Sequence, residues 1–335
     1  MAPRRGGGSG GSGGSSSISC SSSAFDTEYA RIEIAFAALY LVVYLVLWFL
    51  ASIQFARSRK HGQPVAGSIA LTISIFFATV AQIAKVVFIT LNECGTTSPA
   101  NSYPASLVAL WLQYLSQYLL TAVILVPLCR RLQTIFVRVQ KPVLIFQAVW
   151  AGLLVALLLA YLGISTAISV YLYGDGPGYA GEAGTKIEDL REPQRGVMTT
   201  YCVLALVGII IASATMAQAL AHAPSLRSRD ITTWTTILSL SALGYTATVL
   251  GGWIQTAFTI TTIETQSEID SFNRGMDAVI FLTGFFYALA FYAALRVGSY
   301  RVAPTVSQPP VYEPGYDQGY RPGPEQGFTY QNQIR

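Results

Sequence analysis

Residues Val143–Val170 read VLIFQAVWAGLLVALLLAYLGISTAISV and contain no charged side chain. A helix rises about 1.5 Å per residue, so this run exceeds the length needed to cross roughly 30 Å of bilayer hydrocarbon. Core helices of soluble domains are shorter and carry polar residues on one face. The run therefore predicts a transmembrane helix.

Six further apolar blocks have comparable lengths. In chain order the seven blocks are Ile34–Phe55, Ile69–Leu91, Leu107–Cys129, Val143–Val170, Val197–Ala221, Ile231–Phe258 and Met276–Leu295. Only 11% of the residues are charged, whereas soluble domains carry about 25%. The sequence predicts an all-α, polytopic membrane protein, a bundle of seven transmembrane helices that we number spans 1 to 7.

The two ends of the chain differ in composition from the apolar blocks. Residues 1–30 are rich in Gly and Ser, and residues 302–335 are rich in Pro, Tyr, Gln and Gly. Neither composition can bury a core, so both tails are predicted to be disordered. The predicted organisation is an N-terminal tail (1–30), a seven-helix domain (31–301) and a C-terminal tail (302–335).

Lys and Arg are distributed unevenly between the connecting segments. The segments after spans 1, 3, 5 and 7 are basic, whereas Asn92–Ser106 has no Lys or Arg, Gly174–Gly196 is mainly acidic and Thr261–Gly275 has a single Arg. Basic segments lie on the cytosolic side of membranes. We therefore expect an extracellular N-terminus and a cytosolic C-terminus, in the plasma membrane.

A group of polar residues is predicted in the outer half of the bundle. Its members are Gln82, Lys85, Gln113, Gln117, Gln255 and Asp277. We expect them to line a polar cavity open to the outside, where an extracellular small ligand binds and Asp277 pairs with Lys85. The alternatives are that Lys85 snorkels to the outer headgroups and that each Gln only forms an interhelical hydrogen bond.

The four cysteines divide between the two sides of the membrane. Cys20, Cys94 and Cys202 are predicted at or near the outer face, where a Cys94–Cys202 or a Cys20–Cys94 disulfide is expected. The sequence does not choose between these pairings. Cys129 is predicted at the cytosolic end of span 3, as either an acylation site or a buried thiol.

The C-terminal tail contains Pro309-Pro310-Val311-Tyr312, which resembles the PPxY ligand of WW domains. Such segments are already extended as polyproline II, so they dock on an aromatic groove at little entropic cost. The resemblance implies that Pro309, Pro310 and Tyr312 contact WW-domain proteins, such as the ubiquitin ligases that drive endocytosis.

Several chemistries lack the residues they require. His61 and His222 are the only histidines, span 7 has no Lys for a retinal Schiff base, and there is no phosphate-binding P-loop. The positive residues form short clusters between apolar blocks, which is not the pattern of a nucleic-acid interface. We expect no enzyme activity, no cofactor, no metal and no nucleic-acid partner, but contact with the lipid bilayer.

In layout the chain resembles the uncharacterised seven-helix integral membrane proteins of filamentous fungi, some of which are labelled receptor-like. The resemblance covers roughly Arg31–Arg301. The chain departs from rhodopsin-like receptors, because span 3 ends in Cys129-Arg130-Arg131 where an acidic-Arg-aromatic triplet is usual, and spans 6 and 7 lack Pro. No receptor residue is therefore transferred by motif.

The resemblance implies a receptor-like sensor of an extracellular small molecule. Two alternatives stay open. The first is a transporter or lipid-translocating protein, similar to the seven-helix fungal lipid exporters. The second is a membrane scaffold whose tail recruits WW-domain partners.

Overall fold

The computed structural model describes residues 25, 28–60, 67–94, 99–136, 141–173, 179–222, 229–259 and 266–300. All regular secondary structure within these ranges is helical. Within the described ranges, seven helices are long and apolar enough to cross a membrane. The predicted all-α bundle of seven transmembrane helices is therefore confirmed, whereas the predicted C-terminal tail and most of the N-terminal tail lie outside the described residues.

The helices run further than the apolar blocks. Their bounds are Glu28–Lys60 (span 1), Ser68–Glu93 (span 2), Pro99–Val123 continued by a π turn at Ile124–Leu128 and by Cys129–Phe136 (span 3), Lys141–Tyr173 (span 4), Tyr179–His222 (span 5), Arg229–Ile254 continued by a π turn at Gln255–Thr259 (span 6) and Gln266–Ser299 (span 7). The expected loop Gly174–Gly196 is thus mostly the first part of span 5. Its Glu, Leu and Arg residues favour helix over loop.

Spans 1, 3, 5 and 7 begin at one end of the bundle, which we call the N-side, and end at the other, the C-side. On the N-side, the Phe25 amide donates a hydrogen bond to Glu93 at the end of span 2 (3.4 Å). On the C-side, the Gln54 amide donates to the Leu295 carbonyl at the end of span 7 (3.1 Å). Consecutive spans pack together and span 7 contacts span 1, which closes the ring of helices.

Spans 1 and 7 approach each other closely because span 7 has a glycine at the crossing. A Cβ atom built on Gly284 would lie 2.6 Å from Cε2 of the Tyr40 ring. The Tyr40 hydroxyl donates a hydrogen bond to the Phe281 carbonyl, one turn away on span 7. Small residues allow such approaches in membranes, where no hydrophobic force drives helices together.

A π turn interrupts span 3 around Pro127, which lacks the amide that an α-helix would use. Extra residues in a helical turn accommodate such a defect. Gly67, immediately before span 2, has φ of +74° and rests against Pro127, whose Cγ would lie 2.9 Å from an added Cβ. Gly67 therefore packs against the π turn at the point where span 2 begins.

The structure corrects one cysteine prediction. Cys202 has a free, buried thiol, so the Cys94–Cys202 disulfide is wrong. Span 5 begins at Tyr179, far before its apolar block, and this places Cys202 inside the bundle instead of near the outer face. Cys94 is disulfide-bonded, and its other expected partner, Cys20, lies outside the described residues. Cys129 is a free buried thiol, which supports its buried interpretation over acylation.

We predict that Gly67→Ala destabilises the protein. The left-handed conformation alone disfavours a side chain by about 1–2 kcal/mol, and Pro127 leaves no room for it. Gly163→Ala is the control, because no atom lies within 4 Å of its added Cβ, and helical Gly→Ala changes stabilise by roughly 0.5–1 kcal/mol. In detergent, the thermal unfolding temperature should fall for Gly67→Ala and rise for Gly163→Ala, each relative to the wild type. A Gly67→Ala protein as stable as the wild type would contradict this packing.

Candidate functional site

A cavity of about 490 Å³ lies in the N-side half of the bundle. Spans 1, 2, 3, 6 and 7 form its walls, and Met198 of span 5 contributes one side chain. Its aromatic lining consists of Phe36, Tyr40, Tyr44, Phe88, Tyr114, Tyr245, Trp253 and Tyr287. The volume lies within the range of small-molecule pockets, which are largely apolar with a few placed polar groups.

Four of the six predicted polar residues line this cavity. They are Gln82, Lys85, Gln113 and Gln117. Gln255 and Asp277 are not among its lining residues. Spans 2, 3, 6 and 7 contribute to the cavity as expected. Span 1, whose Tyr40 and Tyr44 also line the cavity, was not among the predicted walls.

Gln82 has both a structural and a lining position. Its amide donates a hydrogen bond to the Ala37 carbonyl of span 1 (3.0 Å). This is the interhelical hydrogen bond that was the alternative interpretation for each Gln. Gln82 therefore fixes span 2 against span 1 at the level of the cavity.

Gln113 and Gln117 lie one turn apart on span 3 and both line the cavity. Gln117 is 8% exposed. Within the described part of the chain, neither side-chain amide has a hydrogen-bond partner. A buried polar group left unpaired costs about 1–3 kcal/mol. These amides are thus suited to hydrogen-bond water or a ligand in the cavity.

Tyr287 forms the floor of the cavity. Its hydroxyl is hydrogen-bonded to the Ser74 hydroxyl of span 2 (3.1 Å) and to the Ser116 hydroxyl of span 3. The Ser74 hydroxyl also donates to the Ser116 carbonyl (2.9 Å). The Tyr287 ring meets the rings of Tyr44 and Tyr245 edge-on, at centroid distances of 5.5 and 5.6 Å. One phenol therefore joins spans 1, 2, 3, 6 and 7.

Sequence reasoning did not identify this floor. Tyr287 belongs to an apolar block, where tyrosine is most simply explained as packing or as part of an interfacial belt. The available signal was its depth: a hydroxyl in mid-membrane needs partners, and Ser74 and Ser116 lie at a matching depth on spans 2 and 3.

An ion pair lies at the N-side edge of the cavity. The Lys85 ammonium is 3.5 Å from a Glu33 carboxylate oxygen, and the two side chains are 36% and 24% exposed. The predicted Lys85–Asp277 pair is therefore wrong. Glu33 lies just before the apolar block of span 1, but the helix begins at Glu28 and carries Glu33 into the bundle.

Asp277 occupies an unfavourable position near this pair. Its Oδ1 atom is shielded from solvent and has no hydrogen-bond partner among the described residues. Its carboxylate also lies close enough to that of Glu33 for the two to repel each other. The N-side edge therefore holds two carboxylates and one ammonium group, with one carboxylate uncompensated.

Gln255 joins the N-side ends of spans 6 and 7. It lies in the π turn Gln255–Thr259, and its amide donates a weak hydrogen bond to the Phe272 carbonyl (3.5 Å). The same amide nitrogen would be 2.7 Å from a Cβ on Gly275. For Gln255 the structure thus favours the interhelical-bond alternative over a cavity position.

These features define a class: a polytopic, seven-helix membrane protein with an aromatic cavity in one half of the bundle. Comparisons with protein-family models, with curated proteins and with solved structures find no match for the chain.

We predict that Lys85→Met lowers thermal stability, because it leaves Glu33 unpaired beside Asp277. The pair is partly exposed, so the loss should be about 1 kcal/mol or less. Adding Glu33→Gln to Lys85→Met should recover part of that loss, since it removes the repulsion between carboxylates. Lys141→Met, at an exposed position, is the control for loss of a lysine charge. Equal stability of the single and double variants would contradict the charge arrangement.

Proposed function

We propose that the protein is a receptor-like sensor, in which an extracellular small molecule binds in the cavity and its binding alters the C-side face of the bundle. The observation that supports this function is a cavity accessible at its N-side edge and underlain by a packed core. The layout resemblance to seven-helix fungal membrane proteins labelled receptor-like points in the same direction.

The core beneath the cavity favours a sensor over a transporter. Below the floor, side chains from spans 2, 3, 6 and 7 are at most 1% exposed: Ile75, Leu120, Ile124, Leu238 and Phe291. A transporter needs a polar path that reaches the opposite side. These five groups are apolar, and the buried hydroxyls of Thr121, Ser241 and Thr246 near them donate to carbonyls of their own helices. A sensor needs only that the cavity and the C-side face be mechanically connected.

Tyr287 and span 3 supply such a connection. A ligand resting on the cavity floor touches Tyr287, whose hydroxyl is bonded to Ser116 of span 3. Two turns further along span 3 is the π turn Ile124–Leu128, where Pro127 contacts Gly67 at the C-side. π turns are frequent at functional sites, and helix shifts are a common form of switching, so we propose that a small shift of span 3 is transmitted through this turn to Gly67 before span 2.

The distribution of charge supports an extracellular cavity. Arg57, Arg131, Arg229 and Arg296 all lie at C-side helix ends. Basic residues at helix ends favour the cytosolic side. On this basis the C-side faces the cytosol, and the cavity faces outward at the plasma membrane.

The PPxY segment fits this orientation. Pro309, Pro310 and Tyr312 lie outside the described residues, but they follow span 7, which ends at the C-side. We propose that they bind WW-domain proteins, including ubiquitin ligases, which remove the sensor from the surface by endocytosis.

We predict different cysteine accessibilities for two neighbouring positions on span 3. A membrane-impermeant, cationic methanethiosulfonate added to intact cells should modify Gln117→Cys, which lines the cavity, and should leave Leu120→Cys unmodified from either side. The wild-type protein gives the background, because Cys129 and Cys202 are buried. Arg57→Cys, an exposed C-side position, should react only after permeabilisation.

Each deviation in that experiment has a definite meaning. Reaction of Arg57→Cys on intact cells would invert the orientation, and with it the extracellular cavity. Modification of Leu120→Cys from the C-side would reveal a water-accessible path through the bundle. That result would favour a transporter over a sensor.

We predict that Tyr312→Ala raises the amount of protein at the cell surface at least twofold, because the WW-domain contact needs the tyrosine. Surface biotinylation measures the change. Tyr316→Ala, in the same tail but outside the PPxY motif, is the control. Surface levels that are equal in the two variants and the wild type would remove the endocytic role of the motif.

A further inference from the structure

The edge of the cavity has an unbalanced charge. Lys85 is paired with Glu33, while Asp277 has a solvent-shielded oxygen that accepts no hydrogen bond from any described residue. Asp277 as a whole is partly exposed, but its shielded oxygen lacks the hydrogen bonds that water would supply. A positive charge or a strong hydrogen-bond donor beside it would satisfy this oxygen.

Helical periodicity places Asp277 and Glu33 at the N-side opening of the cavity, which we call its mouth. Ile280 and Gly284 line the cavity, and Asp277 lies on the same face of span 7, one turn nearer the N-side than Ile280. Glu33 is likewise one turn nearer the N-side than the lining residue Ala37 on span 1. Both carboxylates therefore lie at the edge of the cavity and not on its wall, within about 5–6 Å along the helix of lining residues.

The walls below the mouth suit an apolar, ring-bearing body. Tyr44, Tyr245 and Trp253 present aromatic rings to the cavity, and the Gln117 amide is buried there without a partner among the described residues. Aromatic faces stack on flat apolar groups and also attract cations. The cavity thus has an apolar, aromatic interior and an acidic opening.

We infer that the ligand is a cationic amphiphile, with a protonated amine beside Asp277 and Glu33 and an apolar ring system beside Phe36 and Trp253, two of the lining rings near the N-side opening. An anionic ligand would have to displace Glu33 from Lys85 and lie beside two carboxylates. A neutral ligand could donate an N–H or O–H to the Asp277 oxygen but would leave the net negative charge of Glu33, Asp277 and Lys85 unbalanced. This inference rests on the proposed function, since it assigns the ligand class of the same cavity.

The experiment compares probes that share a body and differ in charge. The probes are phenyl-, indolyl- and naphthyl-ethylamine, their N-acetyl derivatives and the matching arylpropionates. Binding is measured by equilibrium dialysis against the full-length protein in phosphatidylcholine nanodiscs, with empty nanodiscs as the blank for membrane partitioning. For at least one body, the amine should bind at least tenfold more tightly than its amide and its carboxylate.

The carboxylate is tested by substitution. Asp277→Asn should weaken binding of the amine at least fivefold and change binding of the matching amide by less than twofold. Glu192→Gln, an exposed acid on span 5 at the N-side, removes the same charge away from the cavity and should change neither. If Asp277→Asn does not yield monodisperse protein, Glu33→Gln, which removes the other carboxylate and also frees Lys85, should weaken binding of the amine in the same direction.

The outcomes separate this inference from the proposed function. In one outcome, a carboxylate or an amide probe binds as tightly as its amine, and Ala109→Phe, which fills the cavity, abolishes that binding. This result would overturn the cationic ligand but would still support a ligand site in the cavity. Asp277→Asn without effect on the amine also overturns the inference, as does an absence of binding by every amine. The ligand site is tested separately: it would be ruled out if the methanethiosulfonate added to intact cells does not modify Gln117→Cys.

Discussion

The Tyr287 hydroxyl is the interaction on which the rest of the bundle depends. A phenol buried in the middle of a membrane has no water to bond, so it must find partners on neighbouring helices. Ser74 and Ser116 supply them, and their position fixes the depth and rotation of spans 2, 3 and 7 relative to one another. The rings of Tyr44 and Tyr245 then pack edge-on against Tyr287 and bring spans 1 and 6 to the same level.

This arrangement explains why a cavity lies above Tyr287 and a dense core below it. On the C-side, small and aliphatic side chains such as Ala290, Ala294 and Leu128 interdigitate and are fully buried. On the N-side, large aromatic rings held by hydrogen bonds keep the spans apart and enclose a volume that no described side chain fills. The Trp253 indole is held in the same way, because its N–H donates to Thr199 of span 5 (3.0 Å). The cavity is thus a product of packing geometry, and its polar groups decide what enters it.

Much of this architecture could be predicted from the sequence, because span length and hydropathy are properties of the chain alone. The polar lining was predictable in part: Gln113 and Gln117 recur at the spacing of one helical turn, so they had to share a face. Glu33 was missed because its effect depends on where the helix begins, which apolar blocks do not reveal. The depth of Cys202 was predicted wrongly for a similar reason. The start of span 5 consists of polar residues that favour helix, and hydropathy does not detect such a segment as part of the span.

Other features depended on contacts between distant segments. The π turn at Pro127 matters because Gly67 rests on it, and no periodicity in either segment indicates that contact. Asp277 was paired with Lys85 because both are charges at similar depth, yet the geometry of span 1 gave Lys85 a different partner. Pairings of this kind follow from the relative rotation of helices, which a single sequence does not determine.

A water-accessible cavity above Tyr287 and a tightly packed core beneath it are the two features on which the proposed function depends. Tyr114 and Tyr161 offer a matched comparison, because their rings pack together at a centroid distance of 5.3 Å. Tyr114 borders the cavity and is partly exposed, whereas Tyr161 is 5% exposed and does not border it. Radiolytic hydroxyl-radical footprinting of the protein in nanodiscs oxidises side chains that contact internal water. We expect Tyr114 to be oxidised at least several-fold faster than Tyr161, whereas equal protection of both tyrosines would contradict a water-accessible cavity.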